Sequence, residues 1–415
     1  MQKANEMSAD HKEIVIIGGG AVGMLMALAL SSLDKKITLI EKQSVLQSDK
    51  VDNRSIALSY TSLCVLNALG VWQKIEQDVE LIKQVHVSDK RGFSQANLFA
   101  KDEGLPFLGC VVKLRHLVPV LFELLQNQMQ IEIWQDTEVV DLCEQGDGEF
   151  QLLIAKTGQE TKVNARLIIA ADGAWSKLRT KAGIASTEYD YQQSALVFDI
   201  KLQKSHQNIA YERFIHDGVM AMLPVAKKQM ACVWSVDRAK VAYWHQQSKS
   251  TILKEVQRIF SYRLGRFVDI GGISSFPLSL IQAQSLFCKN LLAFGNASHF
   301  LHPISGQGLN LSIRDIGILY DLLQQAPDLS QKKIGNILAE YQRLRQFDHK
   351  LTAILTHSML QVFNQSSMPI KLFRGVLLHC LERDQIFKKT FSKLMMGKYN
   401  YGSTLVQKVN LCNMR

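Results

Sequence analysis

Long apolar runs are missing from this 415-residue chain. A membrane-spanning helix needs roughly 18 or more such residues in succession. The early run Met24 to Leu30 is far shorter and lies inside a glycine-rich motif, which also argues against a secretory signal. The expectation is a cytoplasmic chain. Paired cysteines are missing too. The seven cysteines are scattered and none forms C-x-x-C, which excludes a zinc ribbon or a disulfide framework, and no metal site is expected. There is no internal repeat, no low-complexity tract and no nucleic-acid-binding motif. Apolar content of 47% and charged content of 21% are those of a globular protein, and the length suffices for two or three lobes. Met1 to Asp10, polar and unpatterned, is expected to be disordered.

The net charge of +10 is concentrated toward the end. Lys371, Arg374, Arg383, Lys388, Lys389, Lys393, Lys398, Lys408 and Arg415 face only Glu382 and Asp384, with Leu372, Phe373, Val376, Ile386 and Phe391 between them. Such a basic amphipathic pattern fits a solvated helix face, or contact with an anionic membrane surface or acidic partner.

The order of elements indicates an α/β chain. Glu13 to Ile17 reads as a strand, Ala21 to Leu33 as a helix and Ile37 to Ile40 as a second strand, a βαβ unit that implies a parallel sheet. Helices are expected over Thr61 to Leu69, Arg115 to Gln126 and Leu309 to Leu323. Gly146 to Gly148 reads as a turn. From Ser186 to about Ser285 short strand-like runs recur, with one helix near Ser248 to Tyr262. The predicted organisation is a nucleotide-binding domain over 11–185 and 286–345, an inserted antiparallel β lobe over 186–285, and a helical region over 346–415.

Three segments carry chemistry. Gly18, Gly20 and Gly23 stand at G-x-G-x-x-G spacing between a strand and a helix. The first allows the turn, the second lets the backbone approach a pyrophosphate, and the third lets helix and strand pack closely. Glu41 ends the next strand, where a carboxylate can accept from ribose hydroxyls; an acid there favours FAD or NAD over NADP. The second segment is Ala170-Ala-Asp172-Gly173-Ala-Trp-Ser176-Lys-Leu-Arg179. The third runs from Gly295 to Asp315 and presents Pro303, Gly306 and Gly308 before a helix start, where bare N–H groups can face an anion.

Together these resemble class A FAD-dependent aromatic monooxygenases of the para-hydroxybenzoate hydroxylase type. Asp172, Gly173, Ser176 and Arg179 are similar to that family's D-G motif, and Gly295, Pro303, Gly306, Gln307 and Gly308 to its flavin-covering segment. Further likeness, over residues 12 to about 350, is to the ubiquinone-biosynthesis hydroxylases, above all the 2-polyprenyl-6-methoxyphenol hydroxylase branch. It rests on Asn53 to Ser59, His86 to Asp89, Ala221 to Pro224, Phe276 to Leu278 and Tyr341 to Arg345. Asn296 departs from the broader family's aspartate but resembles that branch.

The resemblance implies a Rossmann-like FAD domain with an inserted substrate lobe. It implies reduction of FAD by NADPH or NADH, O₂ addition as a flavin C4a-hydroperoxide, and hydroxylation of a hydrophobic polyprenyl phenol. FAD contacts are expected from Gly18, Gly20, Gly23, Glu41, Arg54, Arg115, Asp172, Gly295, Asn296, Pro303, Gly308, Leu309 and Asn310. Pro303, Gly306, Gln307 and Gly308 are expected at the reacting ring. Met220, Met222, Leu223, Pro224 and Phe276 are candidate substrate contacts. His299 and His302 are read as shaping the loop rather than as bases, and Arg314 as structural. A small soluble phenol as substrate, or a non-catalytic FAD-binding subunit of a ubiquinone-synthesis complex, remains open at this point.

Overall fold

A computed structural model describes residues 11–44, 52–90, 92, 95–145, 149–216, 218–326, 328–365, 367–397 and 402–407. Met1 to Asp10, the 146–148 turn, and Lys398, Lys408 and Arg415 of the basic tail lie outside these residues, as does the side chain of Lys371.

An eight-stranded sheet holds the first domain. Its parallel centre orders Leu291–Ala293, Gln159–Ala170, His11–Ile17, Ile37–Ile40 and Ile131–Trp134 side by side. Ile14, Val15 and Ile16 are buried, and Ile14 and Val15 enter separate cores on the two faces, which is why their run is apolar without alternation. The helices Ala21–Ser31, Leu114–Gln126 and Gln307–Gln324 share the core on one face. In the second of these, Leu114, Leu117, Leu121 and Leu125 recur every three or four residues and are buried. The antiparallel strands Thr137–Glu144 and Phe150–Lys156 close the other face.

The nine-stranded second sheet extends beyond the expected 186–285 segment. Gln84–Asp89 and Gln95–Phe99 join it from before that segment, and His299–Phe300 from after it. Gln84–Asp89 pairs in parallel with Ile209–Ile215, so this sheet is not wholly antiparallel. The first part of strand Ser186–Leu202 is polar and solvent-facing, and its apolar part begins at Ala195. One face packs on helix Lys249–Phe260. The other faces the first domain and the C-terminal helices. Helix Gln331–Asn364 runs unbroken across the expected boundary at 345/346. The helices Met368–Arg383 and Gln385–Met395 follow it.

Candidate active site

The glycine loop leaves strand His11–Ile17 under tight backbone constraint. Gly18 has φ +110°, and a Cβ there would lie 2.4 Å from the Ala171 carbonyl oxygen. A Cβ on Gly23 would lie 1.9 Å from the Gly18 carbonyl oxygen. Gly20 differs: a Cβ there meets nothing within 4 Å, and the residue lines a cavity. Gly20 is also the N-cap of helix Ala21–Ser31, which has no side-chain cap and no acid in its first turn. Its leading N–H groups and the positive end of its dipole therefore face the cavity, as an anion site requires. Glu41 ends the second strand and folds onto this loop, accepting from the amides of Gly19 and, at 3.1 Å, Gln43.

Asp172 presents a buried Oδ1 with no hydrogen-bond partner, and burial raises its carboxyl above the usual range. The rest of this motif is structural. Ser176 caps helix Lys177–Lys181, and the Arg179 guanidinium donates to the carbonyls of Ala174 (3.1 Å) and Ala297 (2.9 Å), tying this turn to the 295–297 turn.

The third segment forms a tight loop with Gly295, Ser305 and Gly306 at φ near +58°. Asn296 is exposed to the cavity. Pro303, Gly306, Gln307, Gly308, Leu309 and Asn310 line the cavity too. Asn310, however, has no side-chain capacity left for a cofactor. Its oxygen accepts from Ser59 N (2.8 Å) and Ser62 Oγ (2.7 Å), and its amide donates to the carbonyls of Ala57 (2.9 Å) and Gly306 (2.7 Å). All four bonds of an amide are thereby used, so Asn310 positions the loop. Gln307 behaves similarly, donating to the carbonyls of Ser305 (3.2 Å) and Met395 (3.0 Å) and linking the loop to the last long helix.

His299 and His302 are fully buried, and neither lines the cavity. Burial lowers each imidazole to about 3, which leaves both as neutral packing groups. Behind His299 lies a buried ionic cluster. Asp315 accepts from Arg345 Nε (2.5 Å) and His349 Nε2 (2.8 Å), and Asp348 joins Arg345 to Arg314. Burial opposes ionisation of Asp315, but His349 and Arg345 together hold its carboxyl well below the usual carboxylate range. The cluster clamps helix Gln307–Gln324, and with it the loop, to helix Gln331–Asn364.

The cavity has a volume of about 570 Å³. It is lined by Gly20, Asn296 and Pro303, by residues of the second sheet, and by Leu377, Leu378, Leu381, Phe391 and Met395 of the C-terminal helices. Of the five expected substrate contacts, only Leu223 lines it. Met220 and Met222 point through the sheet into the core with Ile252, Val256 and Phe260, and Pro224 shares their face by alternation. Leu223, as expected, and Ala221 lie on the opposite face and line the cavity. Phe276 is also absent from the cavity lining; it stacks under the Arg54 guanidinium at 5.1 Å, while Arg54 forks onto Asp52. Arg54 lines the cavity, whereas Arg115 lies beside it, bonded to Asn53 Oδ1 at 3.1 Å.

A parallel sheet with an uncapped helix start, an orphaned buried carboxylate oxygen and glycines open to the cavity at Gly20 and Gly308 fits a dinucleotide cofactor. Fold and site thus define a flavoprotein-type dinucleotide-binding protein with a large second lobe. Residues 11–346 match the family described as "FAD binding domain", and the chain belongs to that family. It is 28% identical over 397 residues to ubiquinone hydroxylase UbiM of Neisseria meningitidis, covering 93% of this chain and 85% of the relative. It is 27% identical to 3-demethoxyubiquinol 3-hydroxylase of Escherichia coli, covering 94% of this chain and 100% of the relative. Its fold is that of p-nitrophenol 4-monooxygenase PnpA from Pseudomonas putida, with a TM-score of 0.74 at 15% identity, over 93% of this chain and 99% of the other.

Proposed function

We propose that the protein is an FAD-dependent monooxygenase that hydroxylates a polyprenylated methoxyphenol in ubiquinone biosynthesis, using NADH or NADPH and O₂. The observation that carries this reading is the shape of the cavity, which continues from the nucleotide loop into an apolar channel among the C-terminal helices. A small soluble phenol would leave that channel without use. The names of the relatives, ubiquinone hydroxylases among them, support the same pathway.

When bound, FAD takes electrons from the nicotinamide and activates oxygen. In this reading the N–H groups at the start of helix Ala21–Ser31 hold its pyrophosphate and the Asp172 Oδ1 accepts a cofactor hydroxyl. Glu41 accepts from the ribose, Arg54 and Arg115 flank the cofactor, and Asn296 meets the ribityl chain. Pro303 and the Gly306 to Leu309 amides stand at the ring. Gly18, Gly23 and Gly295 shape the backbone around it. The sheet face with Ala221 and Leu223 holds the phenol away from water. Turnover tests the reading: the prenylated phenol should have a kcat/KM at least tenfold above the same phenol without its chain, since each buried CH₂ contributes about 0.8 kcal/mol. Equal values would contradict the tail channel.

No helix among the described residues is long and apolar enough to cross a membrane. Peripheral contact with the inner membrane is part of the proposal. Met368, Leu372 and Val376 lie four residues apart on one helix and are 68%, 67% and 60% exposed. Arg383, Lys389 and Lys393 are exposed nearby in sequence. Removing the tail would also remove Met395 and Met396, which bond Gln307 and Thr61, so point substitutions are the cleaner test. Leu372→Glu with Val376→Glu should lower sedimentation with anionic vesicles about tenfold or more. Unchanged sedimentation would remove the membrane from the account.

A further inference from the structure

Among the described residues lining the cavity, only Arg54 and Glu212 carry a formal charge. Arg54 is exposed and forked onto Asp52. Glu212 is inside, 7% exposed, on an otherwise apolar wall. Strand Ile209–Ile215 puts Ala210, Glu212 and Phe214 on the cavity face, and the cross-strand partners of Glu212 are Val87 and Ala221, both lining residues. Its carboxylate accepts from Ser305 N (3.0 Å) and Ser305 Oγ (3.1 Å). Ser305 lies between Pro303 and Gly306, so the acid stands at the junction of the loop, the lobe and the cavity.

A buried carboxylate on an apolar wall is costly, and an amide or hydroxyl could anchor Ser305 at less expense. The arrangement is that of a base: two donors hold the carboxylate in place, and a carboxylate retains lone pairs for a third. We propose that Glu212 accepts the hydroxyl proton of the phenolic substrate. This rests on the hydroxylase reading above. The phenol O–H bond breaks, its electron pair stays on the phenol oxygen, and the proton moves to a Glu212 carboxylate oxygen. Phenol and carboxylate become phenolate and carboxylic acid with no change of oxidation state. O₂ remains the oxidant and the nicotinamide the reductant. The phenolate ring is the more electron-rich partner for oxygen transfer. Burial raises the Glu212 carboxyl above the usual carboxylate range, toward the values at which a base works best near neutral pH.

The alternative is that Glu212 serves only to anchor Ser305. A difference spectrum on the oxidised, FAD-loaded protein separates the two roles. The probe is 4-cyano-2-methoxyphenol, offered at a pH below its own pKa. Wild type should show the phenolate band. Glu212→Gln, which can still accept from Ser305, should bind FAD and the probe but show the neutral phenol, with kcat down by about 10²–10⁴-fold and KM little changed. Ser305→Ala should keep the phenolate band. A phenolate band and full turnover in Glu212→Gln would overturn the proposal. So would its loss in Ser305→Ala to the same extent as in Glu212→Gln. Should Glu212→Gln lose FAD, wild type decides: neutral bound phenol there overturns the proposal. A wild-type protein that binds no phenol, and whose NADH oxidation no phenol accelerates, would instead bring down the hydroxylase reading itself.

Discussion

Gly23→Ala should yield a protein that unfolds readily and carries no FAD, whereas Gly20→Ala should fold normally and fail only to hold the cofactor. The two glycines are three residues apart in one motif, yet their surroundings are opposite. A methyl on Gly23 would meet the Gly18 carbonyl oxygen at 1.9 Å. The Cβ is fixed rigidly by the backbone and the oxygen belongs to it, so relief requires helix Ala21–Ser31 to move off strand His11–Ile17. Met24 to Leu30 of that helix are all buried in the largest core, so the movement would open the core along its length. A loss of about 3 kcal/mol or more is expected, at the upper end for overpacking. A methyl on Gly20 meets no protein atom within 4 Å and projects into the cavity where a pyrophosphate would approach. Weakening one or two charge-assisted hydrogen bonds, each worth roughly 1.5–3 kcal/mol, corresponds to an FAD affinity at least about tenfold lower. Thermal unfolding and the flavin absorbance of the purified variants check both outcomes. Equal unfolding temperatures in the two variants, or wild-type flavin content in Gly20→Ala, would contradict this division of roles.

Asp315→Asn should destabilise the fold by about 3–5 kcal/mol, because it removes one of the two carboxylates that neutralise the buried Arg345 guanidinium. Arg345 is 3% exposed and Asp315 fully buried, so water cannot replace the lost partner. His349 compounds the loss, since its Nε2 also bonds Asp315. Asp348 stays beside Arg345 and limits the damage. Urea unfolding should show the shift, and the flavin should be released earlier in the transition, since this cluster clamps the helix that begins at Gln307. A change within about 0.5 kcal/mol, the range of ordinary surface substitutions, would contradict a structural role for the cluster.

The three motifs were legible because each depends on local chain geometry. Glycine at 18, 20 and 23, or at 306 and 308, announces a backbone that a side chain would obstruct, and the flanking strand and helix carry their own periodicities. The faces of the second sheet were not legible. Strand Gly218–Ala226 is apolar on both sides, so alternation separates Met220, Met222 and Pro224 from Ala221 and Leu223 without saying which set meets the cavity. Assigning Met220, Met222 and Pro224 to substrate together with Leu223 fails for the first face, because helix Lys249–Phe260 covers Met220 and Met222. The side chain of Asn310 was not legible for a related reason. A polar residue near a cofactor loop suggests side-chain contact, whereas three of its four bonds go to Ala57, Ser59 and Ser62, distant in sequence, and the fourth to Gly306. Glu212 had a signal, a lone carboxylate between Ala210 and Phe214 on an apolar strand face, but its meaning depends on Ser305, 93 residues away. The C-terminal helices were read as amphipathic. Which apolar residues turn inward, such as Leu378 and Leu381, and which outward, such as Leu372 and Val376, depends on packing that no local pattern encodes.

In the proposed reaction this chain uses bound FAD to place an oxygen atom on a prenylated phenol. The most direct measurement is a reaction of the FAD-loaded protein with NADH, a prenylated methoxyphenol and ¹⁸O₂, with product identified by mass. The account predicts a hydroxylated quinol carrying a single labelled oxygen, formed in step with NADH consumption. NADH oxidation that yields only hydrogen peroxide, with the phenol recovered unchanged at every prenyl length tried, would contradict it.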